Sequence, residues 1–315
     1  MRERWRSLRV TPERFGSTAL AAVAGLYVVM VTGALVRLTG SGLGCDNWPR
    51  CGNTPFPERG FHAFVEFGNR VVALIAILLT VVCAVAARRT PGLPRHVRLL
   101  AITVAAGTIA QIPLGGVTVL LDLNPYVVMS HFLLAVTMLG LGVVVALEGH
   151  FFARGLGRSR LPRPVGWASL LLVPAAVTLL VTGTFVTAAG PHPGANGRDI
   201  PRLGNVVDAA HVHVVATAVF GVCLAACLVV LFRHRSEARA ELNHAAVLLV
   251  LLGAEMGVGQ YQWHNALPWG AVLLHVALAS AVWAALVALV VRLVRSARIR
   301  RPSLAGRAVP AARLP

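Results

Sequence analysis

Residues 206–232 read VVDAAHVHVVATAVFGVCLAACLVVLF, an apolar run broken by one aspartate and two histidines near its start. A helix needs about 20 such residues to cross a bilayer core. Lipid offers the backbone no hydrogen-bond partners, so a run of this length there must be helical. Similar runs recur at about 17–38, 64–86, 97–120, 126–147, 165–189, 242–262 and 268–292. With 57% of its 315 residues hydrophobic and 13% charged, the chain departs from ordinary soluble composition. The pattern predicts an all-α integral membrane protein with eight transmembrane helices.

The net charge of +17 could point to nucleic acid, but the basic residues sort by side of the membrane instead of gathering into one patch. Twenty-three arginines fall in the N-tail, in alternate connections and in the C-tail, beginning with Arg2, Arg4 and Arg6 and ending with Arg307 and Arg313. The other side carries Arg50, Arg59, Arg198 and Arg202. This bias places both termini in the cytoplasm and the loops 39–63 and 190–205 outside, in a multi-pass protein of the cell membrane. The first run is too long for a signal peptide and lacks a small-residue cleavage pattern, so it stays as the first helix. The Ala, Pro and Arg-rich tail from Pro302 to Pro315 is expected to be disordered.

The chain divides into two pseudo-symmetric four-helix bundles. Residues 1–147 form the first half, 148–164 a cytoplasmic linker, 165–292 the second half and 293–315 the basic tail. Val31-Thr32-Gly33 in the first helix matches Val181-Thr182-Gly183 in the fifth. A constant offset of 144 residues takes Asn69 to His213, Gln111 to Glu255, Gly115 to Gly259 and His131 to His275. Repeated four-helix units place sites inside each bundle, between facing helices.

Polar residues within spanning helices are costly and are therefore functional candidates. Asn69, His131, His213 and His275 each lie about six to eight residues inside their helices, roughly 9–12 Å at 1.5 Å per residue, and so share one depth. The structural alternative for any one histidine is a hydrogen bond to a neighbouring helix. Two histidines at equal depth on facing helices can instead supply the axial ligands of a heme, and His213 with His275 makes such a pair. Ala279, Thr217, Gly257 and Gly259 would let a flat ring approach. His211 competes with His213 but faces about 160° away on the helix and breaks the 144-residue register. In the first half His131 faces Asn69, and a carboxamide is a poor iron ligand. That half should hold a porphyrin with an open position. The asymmetry implies a tightly held heme in one half and an exchangeable substrate in the other.

The stretch Thr39-Gly40-Ser41-Gly42-Leu43-Gly44-Cys45-Asp46-Asn47-Trp48-Pro49-Arg50-Cys51 resembles the first outer loop of the heme A synthase family. Glu66-Phe67-Gly68-Asn69-Arg70 is similar to the family's acidic motif. Gln111-Ile112-Pro113-Leu114-Gly115-Gly116-Val117-Thr118-Val119-Leu120, then Pro125 and His131, resemble its third and fourth helices. The likeness runs on through Val181-Thr182-Gly183-Thr184, Gly190-Pro191-His192, His213 and His275. Asn69 stands where the family pattern usually has histidine, a departure that fits a branch of actinobacterial type, and residues 190–205 lack the second cysteine pair that many members carry. The resemblance implies oxidation of a methyl group of heme O, through an alcohol and a hydrate, to the formyl of heme A. It implies heme b on His213 and His275 and substrate heme at His131, Asn69 and Arg70. Heme O synthase, terminal oxidase assembly factors and a second copy of the chain are partners it implies besides lipid.

Glu66 lies three residues before Asn69, on the same helix face. It reads either as a catalytic proton acceptor or charge stabiliser, or as an interfacial carboxylate paired with Arg37 or Arg70. Those two arginines could alternatively bind heme propionates. Glu255 reads as a buried structural partner. Cys45 and Cys51, in an outer loop, can form a disulfide, acting as a staple or as a redox relay. Cys83, Cys223 and Cys227 read as small buried hydrophobes. The alternative to an enzyme is a membrane b-type cytochrome that only moves electrons, for which ligands at two depths are expected. A transporter would need broken helices and midplane polar residues, which are sparse.

Overall fold

The computed structural model describes residues 9–45, 47–51, 56–57, 60–155, 161 and 163–297. The expected disorder of Pro302 to Pro315 lies outside the described residues. The helices are α1 Pro12–Leu38, α2 Phe61–Arg89, α3 Arg95–Leu120, α4 Pro125–Ala153, α5 Arg163–Leu170, α6 Leu172–Ala189, α7 Val206–Arg233, α8 Arg239–His264 and α9 Trp269–Ala297. Eight spans are long and apolar enough to cross a membrane, with α5 and α6 sharing the fifth. That span is interrupted at Leu171. Pro174 has no N–H for the carbonyl of Leu170 and its ring crowds that turn, which accounts for the break.

The helix starts follow local chemistry. The side chains of Thr11, Asn124 and Asn205 accept hydrogen bonds from Arg14 N, Tyr126 N and Val207 N, and proline opens α1 and α4. These caps satisfy amides that have no partner within the helix. The turns between α3 and α4 and between α8 and α9 are built alike. Asp122 and Leu123 have φ of 48° and 57°, and Ala266 and Leu267, at the same 144-residue offset, have 57° and 56°. Each turn closes with a six-residue bond, Leu123 N to Thr118 O and Leu267 N to Gln262 O, both 2.8 Å. This C-terminal closure is one that favours the left-handed conformation.

In the first half α1 packs on α2 and α4, and α3 packs on α2 and α4. In the second half α6 packs on α7, α8 on α9 and α5 on α9, while α7 and α8 barely touch. The halves meet where α9 crosses α1 and α4. There Trp283 Nε1 donates to Val136 O at 2.9 Å and Tyr27 Oη donates to Ala277 O at 3.2 Å. Close approach at this seam depends on Gly140, where a Cβ would lie 3.0 Å from Trp283 Nε1.

Burial is uneven along the bundles. One apolar cluster gathers Phe15, Ala19, Leu26, Cys83, Val97 and Leu139, another Leu172, Leu224, Leu231, Leu248, Leu286 and Leu293. Both lie toward the face that carries the termini. Toward the opposite face, which carries the loops at 39–60 and 190–205, no residue of α8 beyond Leu248 is buried and none of α9 before Ser280. The same holds on α4 between Pro125 and Val136, and on α2 between Glu66 and Ala76. Each bundle is tightly filled at one end and loosely filled at the end where Asn69, His131, His213 and His275 lie.

Candidate functional site

His213 projects from α7 with Nδ1 3.1 Å from Thr182 Oγ1 on α6. The Thr182 hydroxyl is within 2.9 Å of the carbonyls of Thr178 and Leu179, to which it donates. Its lone pairs therefore face the ring, so Nδ1 carries the proton and Nε2 keeps its lone pair. The ring lies against Gly183, where a Cβ would sit 3.1 Å from Cε1.

His275 projects from α9 with Nδ1 3.0 Å from Glu255 Oε1 on α8, in a contact not aligned as a hydrogen bond. A carboxylate there again favours a proton on Nδ1. The ring lies against Gly259, with a Cβ–Cε1 separation of 3.3 Å. The two histidines are close enough to interact electrostatically. Among the described residues no hydrogen bond engages either Nε2, the bundle is loosely filled here, and glycine stands under each ring. That donor set and that space fit a bis-histidine heme.

The first half repeats the frame with two elements changed, Asn69 for His213 and Gln111 for Glu255. His131 lies against Gly115, with a Cβ–Cε1 separation of 3.3 Å. Gln111 Nε2 donates to the His131 carbonyl at 3.2 Å. His131 Nδ1 and Gln111 Oε1 are both buried and have no hydrogen-bond partner among the described residues. Asn69 stands where His213 stands in the other half, and its Oδ1 accepts from Thr32 Oγ1 at 2.7 Å. A Cβ on Gly33 would meet nothing within 4 Å. The shorter carboxamide leaves open the space that the His213 ring fills beside Gly183.

Glu66 is 5% exposed. Its Oε2 accepts from Cys45 N at 2.8 Å, and its Oε1 is 2.5 Å from Arg70 Nη2. Arg70 Nη1 donates to Pro49 O at 3.1 Å and Arg50 O at 3.0 Å. The pair thus anchors a loop closed by the Cys45–Cys51 disulfide, whose Cα atoms are 4.5 Å apart. Trp48 of this loop lies on Gly116 of α3, where a Cβ would come within 2.7 Å of the indole. Both Arg70 and Glu66 face this loop, Arg70 next to Asn69 in the chain and Glu66 about one turn before it. Cys83 and Cys227 are buried and Cys223 is half-buried. His211 is exposed on α7.

The two loops are joined above the bundles. Ser41 and Ala195 form an antiparallel bridge, and Gly42 N donates to Gly194 O at 2.7 Å. Arg37 Nε donates to His192 O at 2.9 Å and its Nη2 to Thr187 O at 2.5 Å. Arg202 Nη2 donates to the same Thr187 carbonyl at 2.9 Å and to Gly190 O. Burial pulls the Arg202 pKa below its ordinary value. Arg202 and Thr182 carry no sequence signal of this kind beyond side of the membrane and the repeated Val-Thr-Gly.

An eight-span helical membrane protein with a histidine pair in one bundle and a histidine–asparagine pair in the other is the class that fold and site define. The model of the COX15-CtaA family, described as cytochrome oxidase assembly protein, matches residues 53–287. The chain belongs to that family. It is similar to the heme A synthase of Symbiobacterium thermophilum, 31% identical over 289 residues that cover 86% of this chain and 92% of that one. It is 27% identical to the heme A synthase of Halalkalibacterium halodurans over 252 residues, 74% of this chain and 82% of that one. A match to the heme A synthase of Geobacillus kaustophilus is 34% identical but spans only 33% of each chain.

Proposed function

We propose that this protein is a heme A synthase, an oxidoreductase of the cell membrane with both termini cytoplasmic. In this reading it oxidises a methyl group of heme O to the formyl of heme A. The observation that carries the reading is the pairing of His213 with His275 in one half and of His131 with Asn69 in the other. Family membership and the named relatives support it.

His213 and His275 would hold heme b through Nε2, and such a group, when bound, supplies one-electron chemistry. Thr182 and Glu255 orient the two rings by engaging Nδ1. Substrate heme O would sit at His131, opposite Asn69, where a single imidazole permits exchange. The reaction is two successive two-electron oxidations of one methyl, first to the alcohol and then to a gem-diol that loses water, with the four electrons passing to an oxidant supplied from outside this chain. Each step releases protons, and Glu66, one turn from Asn69 and in contact with Arg70 and the Cys45 amide, is the base or charge stabiliser assigned to it. The disulfide and Trp48 hold the loop against α3 of this half.

The test is extraction of hemes from a host that supplies heme O but lacks its own heme A synthase. Heme A should appear with this chain and be lost with His131→Ala. Unconverted heme O in the presence of a protein that keeps its low-spin heme would leave the electron-transfer cytochrome in its place.

A further inference from the structure

Arg37 and Arg202 come from different halves of the chain yet donate to one acceptor, the Thr187 carbonyl. Their charges are close enough to repel. The other acceptors they reach, His192 O and Gly190 O, are also neutral. The ion pairs formed among the described residues, Glu66–Arg70, Asp122–Arg198, Glu148–Arg295 and Glu255–His275, include neither arginine. Arg202 Nε is buried and has no hydrogen-bond partner among the described residues. Two adjacent cations with neutral acceptors and spare donors are costly unless an anion completes them. Guanidinium forks match the two oxygens of a carboxylate.

The position narrows the anion. The carbonyls that hold both arginines lie in the segment from Thr187 to His192. The neighbouring residues Ala189 and Pro191 line a cavity of about 400 Å3 together with Val206, Trp263, Ala266 and Leu267. His192 Nε2 is 2.8 Å from Leu267 O and fixes this wall to the α8–α9 turn. Val206 begins α7, and His213 lies seven residues further, roughly 10 Å along the axis. A tetrapyrrole carries its two carboxylates on one edge.

We infer that Arg37 and Arg202 bind the propionates of the tetrapyrrole held by His213 and His275, an inference that rests on the heme reading above. Arg70, the other candidate from sequence, has its donors on Glu66 and on loop carbonyls instead.

The experiment uses the full chain, made under heme limitation and purified in detergent, titrated with hemin and with hemin dimethyl ester. The parent should bind hemin about tenfold more tightly than the ester, the equivalent of one well-formed charge-assisted contact. In the Arg37→Gln, Arg202→Gln double variant that ratio should fall close to one, while the ester still gives the low-spin spectrum set by the two histidines. That spectrum is the folding control. The Arg37→Lys, Arg202→Lys variant should keep part of the ratio, and Arg198→Gln all of it. A parent that binds both compounds equally, or a double variant that keeps the ratio, would overturn the propionate site alone. A parent that binds neither would overturn the heme reading and this inference with it. If discrimination is absent and the double variant instead loses stability only in nanodiscs containing phosphatidylglycerol, the anion is a lipid phosphate and the inference is overturned.

Discussion

Thr182 Oγ1 lies 3.1 Å from Nδ1 of His213, and the hydroxyl's own proton is committed to the helix backbone. The threonine therefore sets both the tautomer and the orientation of the ring. Thr182→Val keeps the shape and removes the acceptor, which should cost about 1 kcal/mol, or roughly fivefold in heme retention. Heme loss to a soluble apoprotein acceptor measures it. The low-spin spectrum should persist, because Nε2 is still available.

Thr32 holds Asn69 in the corresponding place, with open space at Gly33. Asn69→His should therefore build a second bis-histidine site with His131. Heme content of the purified protein should rise by up to one equivalent, with additional low-spin intensity. Adding Gly33→Leu fills the space and should abolish the gain. An unchanged heme content in Asn69→His would argue against the equivalence of the two halves.

Glu255 and Gln111 occupy equivalent positions beside His275 and His131 but differ in charge. A carboxylate acting on Nδ1 increases the electron donation of the imidazole and favours ferric iron. Glu255→Gln removes that charge and should raise the midpoint potential of the heme on His213 and His275. A difference of about 1 kcal/mol corresponds to about 40 mV for one electron. Potentiometric titration reads the shift. A structural role alone would change heme content and leave the potential in place.

The eight spans were legible because hydrocarbon thickness imposes a length on each apolar run, and the structure places helices over all of them. The break at Leu171 was not anticipated, although Pro174 carries the signal. The equal depth of Asn69, His131, His213 and His275 followed from helix rise alone. What surrounds each ring did not, because ring partners such as Thr182 depend on how helices rotate about their axes, which sequence periodicity leaves loose in a uniformly apolar span. Glu255 was read as a buried structural partner, and its neighbour is the ring of His275, which the sequence did not name. The spacing of Glu66 and Arg70, four residues apart, favours an ion pair on a helix, and their contact is 2.5 Å. Arg202 had no such clue, since loops have no period and its partners are backbone carbonyls.

Glu66 joins two functions that a single substitution would confuse. Its carboxylate receives the Cys45 amide and Arg70, so its removal disturbs the loop as well as any proton transfer. Arg70→Met removes the same ion pair and the contacts to Pro49 O and Arg50 O, but leaves the carboxylate in place. If the carboxylate acts on the substrate, Glu66→Gln should stop heme A formation or halt it at the alcohol, while Arg70→Met keeps measurable heme A. If Glu66 serves only the loop, both variants should lose activity together and to a similar degree. Two further readings on each variant separate chemistry from folding. The heme spectrum set by His213 and His275 reports the second bundle, and labelling of Cys45 and Cys51 without reductant reports the loop. A Glu66→Gln protein with an intact spectrum, a closed disulfide and near-normal heme A would remove Glu66 from the reaction.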